Sequence, residues 1–71
     1  MNKYVKLGKI IKHYRNKRNL DIKTMAQKLN ISTKRLQDIE NGKVTYTFTT
    51  LEKIANILEV TLPDLLNFSQ N

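Results

Sequence analysis

The chain contains no cysteine, one histidine, one proline and two glycines in 71 residues. Without cysteine, neither a disulfide nor a thiolate metal site can hold a small fold together. With His13 as the single histidine, a multi-histidine zinc site is excluded as well, and His13 itself suits an exposed position on a basic helix. No run approaches the length of apolar residues that spans a bilayer. The basic N-terminus is not followed by the unbroken apolar segment of an export signal. A cytoplasmic protein without membrane contact is the expectation. There is no Gly-rich phosphate loop and no grouping of Cys, His and acid suited to a triad, so neither a catalytic residue nor a cofactor nor a metal is expected. A chain of this length buries only a modest core and is expected to form one domain over residues 1–71.

Acidic residues are nearly missing from the first half. Residues 1–35 hold 11 Lys and Arg against the single acid Asp21, a balance of +10, whereas residues 36–71 hold two Lys against five acids, a balance of −3. A basic half attracts a polyanion and steers its approach. Nucleic acid is the commonest such partner and an anionic membrane surface is the rival.

Apolar residues recur with helical spacing. Leu7, Ile10, Ile11 and Tyr14 fall at i, i+3, i+4 and i+7; Ile22, Met25, Ala26 and Leu29 repeat the pattern, as do Leu51, Ile54, Ala55 and Leu58. Three such matches predict amphipathic helices that share one core. Boundary residues agree: Asp21 and Ser32 suit N-caps, Thr49 with Glu52 fits a capping box, and Thr61 suits a last cap with Pro63 in the first turn. Gly42 suits a helix stop and Asn30 a left-handed turn. The reading is five helices, over about 4–18, 22–29, 33–41, 50–58 and 62–67, an all-α bundle. Residues 43–49 have strand-like composition but no partner strand, so an extended loop is expected, with Phe48 plugging the core.

The second and third helices, separated by about three residues, form a helix-turn-helix unit, whose second helix enters the DNA major groove. On a helical wheel at about 100° per residue, Leu36 and Ile39 define the buried side of the third helix. Lys34, Gln37, Asp38 and Asn41 share the opposite side, with Thr33 and Arg35 on its flanks. Arg and Lys favour guanine, Gln and Asn favour adenine, and Asp accepts from cytosine. Asp38 is the one charge here that DNA repels. Neutralising Lys34 or Arg35, reading a donor, and repelling wrong sequences are its open roles.

The segments "MAQKLNIS", "LQDIENGK", "TLEKIANILEV" and "TLPDLL" stand in order and at the spacing of a known family. With the basic first helix, residues 7–66 resemble the phage-repressor/Cro-type (XRE-like) helix-turn-helix domain. The resemblance implies a compact five-helix, lambda-repressor-like bundle that binds double-stranded DNA as a homodimer on a near-palindromic operator. By position it implies base reading by Thr33, Lys34 and Asp38, to which the wheel adds Gln37. Ser32, Asn41 and Lys43 fall at backbone-contacting positions, and Arg35 is assigned there too. Arg15 and Glu40 match an internal salt bridge of the family. A free phosphate contact is the less favoured role for Arg15. Where the family has a phosphate-binding Gln at the start of the second helix, this chain has Ile22, and Lys23 or Thr24 is expected to supply the anchor. Asn30 stands where the family often has Gly. Tyr46 stands where it often has Pro, and is expected to pack on the body of the protein, with stacking on DNA or a dimer contact as the other options.

The acidic last third is the expected dimer surface. Leu66 and Phe68 are the candidates there, whereas Leu62 and Leu65 serve equally well to finish the core. The function implied is a sequence-specific transcriptional regulator, a repressor or autoregulator, with a regulatory protein partner possible. The rival is an interaction module, such as an antitoxin-type partner, with DNA binding secondary. RNA binding is a third option, disfavoured because it uses exposed aromatics and Tyr14 and Phe48 are expected in the core.

Overall fold

In the computed structural model, residues 2–66 are described, and each helix among them begins at a side-chain cap. Asn2 accepts from Val5 N–H at 2.9 Å and opens α1, Lys3–Lys17. Asp21 accepts from Thr24 N–H at 2.6 Å and opens α2, Ile22–Leu29. Ser32 accepts from Arg35 N–H at 3.0 Å and opens α3, Thr33–Glu40. Thr47 accepts from Thr50 N–H at 3.3 Å and opens α4, Phe48–Leu58. Thr61 and Asp64 form a reciprocal capping box over α5, Leu62–Leu65. Each cap satisfies a backbone donor that the helix itself leaves without a partner. Those hydrogen bonds hold the Asp21 and Asp64 carboxyls below the ordinary carboxylate range, the backbone N–H of Thr24 and of Thr61 being the main cause in each case.

Left-handed residues turn the chain out of α2, α4 and α3. Asn30 has φ 60°, Glu59 φ 56° and Gly42 φ 72°. Gly42 is required twice over, because a Cβ there would also lie 2.6 Å from Val5 Cα. Asn19, also left-handed at φ 57°, turns the chain out of α1.

The apolar faces meet in one core. Leu7 and Ile11 of α1, Met25, Ala26 and Leu29 of α2, Leu36 and Ile39 of α3, Leu51, Ile54, Ala55 and Leu58 of α4, and Leu65 of α5 are all buried. The fold is an all-α, five-helix bundle in which α3 packs on both α1 and α2 while α4 backs α1, α2 and α5. Among the described residues no helix is long and apolar enough to cross a membrane.

Three expectations need correction. The fourth helix begins at Phe48 and not at residue 50, because Thr47, with extended backbone, is its cap; Thr49 lies inside the first turn and makes no capping box with Glu52. As the first residue of that helix, Phe48 points away from the core and is 60% exposed. Tyr46 takes the place expected of Phe48: it is half-buried against the core, with its ring edge-on to Tyr4 at 5.3 Å. The last helix ends at Leu65. Leu65 is fully buried and Leu62 half-buried, so both finish the monomer core, while Leu66 is 40% exposed. Phe68 lies outside the described residues.

Candidate nucleic-acid interface

The outer face of α3 forms one wall of a cleft of about 530 Å³ whose other walls come from α1, the start of α2 and the loop after α3. Leu36 and Ile39, both fully buried, fix the rotation of the helix, so the residues opposite them turn outward. Lys34, Gln37, Asp38 and Asn41 line the cleft together with Lys43. Lys34, Gln37, Asn41 and Lys43 are exposed and Asp38 is half-buried. Lys34 Nζ donates to Asp38 Oδ2 at 3.2 Å, one turn along the same helix. Of the roles open to Asp38, neutralising Lys34 is therefore realised in the free protein.

Beneath the cleft, α1 is clamped to α3. Arg15 Nε donates to Glu40 Oε2 at 2.6 Å and Nη2 donates to Glu40 Oε1 at 3.1 Å, a two-pronged pair. The remaining prong, Nη1, donates to the Leu20 carbonyl at 2.8 Å. Both residues are buried. A buried pair is favourable only when its remaining donors and acceptors are also satisfied, and Leu20 satisfies one of them. With three bonds inside the protein, Arg15 is committed to the fold.

Other candidates lie off the cleft. Ser32 is exposed with its hydroxyl committed to the cap, and Thr33 is half-buried beside it. Arg35 lines a different groove, with Asn30, Ile31 and Lys53, on the α2–α4 side of α3. Lys23 is exposed and Thr24 half-buried, and neither lines the cleft. Ile22 does line it, half-buried, as an apolar patch at the start of α2.

Two residues passed over in the sequence matter here. Lys12 of α1 is exposed and lines the cleft; it lies three residues before Arg15, a spacing that puts both on one helix face, and that signal was available. Gly8 is buried where α1 crosses the end of α3. A Cβ there would lie 2.6 Å from the Ile39 carbonyl oxygen and closer still to that of Glu40. This close approach lets Arg15, two turns further along α1, reach Glu40. No periodicity in the sequence reveals it.

Taken together the cleft offers ammonium groups and amide groups beside a basic α1, and of its three carboxylates Asp21 is committed to the α2 cap, Glu40 to Arg15 and Asp38 to Lys34. Such a surface can bind phosphate with its charges and read base edges with its amides. The chain matches the family model described as Helix-turn-helix over residues 11–65. No curated protein and no solved structure matches it.

Proposed function

Since the chain belongs to the helix-turn-helix family of XRE-type DNA-binding transcription regulators, we propose that it is a repressor or autoregulator that binds a near-palindromic operator as a homodimer. The whole chain, residues 1–71, acts as one such domain. The observation that carries this reading is the outer face of α3. Lys34, Gln37, Asp38 and Asn41 are presented together on a helix whose opposite side is locked into the core by Leu36 and Ile39.

In this reading α3 lies in the major groove. Lys34, Gln37 and Asp38 read base edges, with Thr33 at the leading end of the helix. Asn41, Lys43 and Ser32 hold the sugar–phosphate backbone on one side; Lys23, Thr24 and Arg35 approach it on the flanks. Charge contacts to phosphate supply much of the affinity and make it fall steeply with salt. The helix face supplies the sequence choice.

The dimer contact is assigned to the groove of about 250 Å³ around Phe48 and Leu66, which Tyr4, Tyr46 and Leu51 also line. Phe48 and Leu66 are the large apolar side chains left exposed among the described residues. Lys3 stands on the rim of the groove, and residues 36–71 carry a net −3. A two-fold contact would set the basic rim of one copy against the acidic half of the other. A second copy is therefore the occupant proposed.

Selection from a random duplex library tests the reading as a whole. A recovered inverted repeat with half-sites about one helical turn apart is the expected result, and no enrichment of any duplex overturns it. Sedimentation tests the dimer through Phe48→Glu, a change that leaves the helix sound because an acid is favourable in the first turn. Two protomers per duplex for the wild type and weakened pairing for the variant are expected. One protomer per duplex at saturating protein overturns the two-fold arrangement.

A further inference from the structure

We propose that Lys12 of α1 is a backbone-phosphate anchor for the duplex, seated in the cleft between α1, the start of α2 and α3; this rests on the DNA-binding reading above. The inference follows from what each charge in the cleft already does. Arg15 is bound to Glu40 and to the Leu20 carbonyl. Lys34 is paired with Asp38. Asp21 turns its carboxylate to Thr24 N–H. The cations of the cleft left without an ion-pair partner among the described residues are Lys12 and Lys43. Lys43 extends from the loop after α3. Lys12 comes from α1 and has no counterpart on that wall.

Ile22 makes the need for such an anchor concrete. It is the first residue of α2, lines the same cleft and is half-buried against the core. Its side chain has no hydrogen-bond donor. Lys23 and Thr24, the neighbours in sequence, do not line the cleft. An apolar wall does help a charge placed beside it, since attraction between ammonium and phosphate grows as water is excluded. An exposed lysine also brings a long, adjustable stem to the site, which suits a point-charge contact to phosphate. Lys12 thereby supplies, from a different helix, the side-chain donor that Ile22 lacks in this cleft.

The test is the salt dependence of duplex binding by fluorescence anisotropy, for the selected operator and for a random duplex. Lys12→Ala is expected to weaken both by a similar factor, on the order of tenfold, and to lower the slope of log affinity against log salt by about 1. Lys12→Arg is expected to restore the slope. Lys17→Ala is the control, because Lys17 lines a separate groove with Arg18 and Glu59; its slope is expected to stay close to that of the wild type. An unchanged slope for Lys12→Ala, with wild-type binding intact, overturns the anchor and leaves the DNA reading standing. An equal fall for Lys17→Ala also overturns it, since the effect is then net charge. Failure of the wild type to bind any duplex overturns the DNA reading itself. Thermal melting of Lys12→Ala is expected to match the wild type, as the side chain is exposed and has no partner to lose among the described residues.

Discussion

Arg15 and Glu40, 25 residues apart in the chain, are joined by two hydrogen bonds of 2.6 and 3.1 Å and tie the first helix to the end of the third. The pair sits directly below the polar cleft, so it sets the position of the proposed reading face relative to the basic α1. Its strength lies less in attraction than in what a broken pair leaves behind. Glu40→Gln keeps the shape and leaves the Arg15 charge buried without its counter-charge, a loss of about 3–5 kcal/mol. That is a large share of the total stability of a small domain. Urea unfolding should show the loss directly. Replacing both residues together by apolar ones of similar volume should recover much of it.

Gly8→Ala should destabilise, although alanine is the better helix former by about 1 kcal/mol. The new Cβ would meet the carbonyl oxygens of Ile39 and Glu40. These are backbone atoms that cannot rotate away, so α1 must move off α3. Overpacking of this kind costs about 1–3 kcal/mol, and the displaced helix also stretches the Arg15–Glu40 pair. The net effect is a lower melting temperature, to be read from thermal denaturation followed by circular dichroism.

Tyr46 carries a buried hydroxyl with no hydrogen-bond partner among the described residues. Burial, with a smaller effect of Tyr4, pushes its phenol up to about 12 from the ordinary 10. The fold therefore favours the neutral form. Its contribution is fully present below pH 10 and is lost as pH rises toward 12. Tyr46→Phe should remove this limb of the stability–pH curve; lysine deprotonation is common to both proteins and cancels in the comparison. At neutral pH the same variant should be about 1 kcal/mol more stable, because a buried group without a partner has been deleted. Denaturant unfolding from pH 7 to 12 checks both outcomes.

Asp38→Asn tests what the carboxylate contributes to sequence choice. In the free protein Asp38 is held by Lys34. Removing its charge should raise affinity for random duplex and free Lys34 for phosphate. If Asp38 accepts from a cytosine amino group, discrimination at one base pair of the operator falls by about 1–3 kcal/mol. Competition binding with single-base operator variants separates the two effects. Unchanged affinity for random duplex together with unchanged discrimination would remove Asp38 from the reading surface.

The course of the helices was legible because their information is local. Apolar residues at i, i+3, i+4 and i+7 name the faces that meet in the core, and the caps at Asp21, Ser32 and Thr61 lie where short polar side chains precede those faces. The outward face of α3 followed from the same periodicity: once Leu36 and Ile39 are inside, Lys34 and Gln37 are outside. The segment around Thr47 was misread because two threonines, Thr47 and Thr49, both suit a cap. Only packing decides between them. Choosing Thr47 sends Phe48 into solvent and lays Tyr46 on the core beside Tyr4.

The sequence by itself determined an all-α bundle, the order and faces of its helices, the basic first half and the family to which the chain belongs. Tertiary structure alone decided which side chains share a cleft. Lys12 is far along the chain from Lys34 and Lys43 and joins them because Gly8 lets α1 lie against the backbone of α3. It also decided that Arg15 is committed to Glu40, since that pairing depends on a distance between helices that no spacing along the chain encodes, whereas the pairing of Lys34 with Asp38 lies within one helix and follows from their i, i+4 spacing. Periodicity orients a helix about its own axis. The contact of one backbone with another sets where that helix stands, and the composition of the proposed DNA-binding surface follows from that contact.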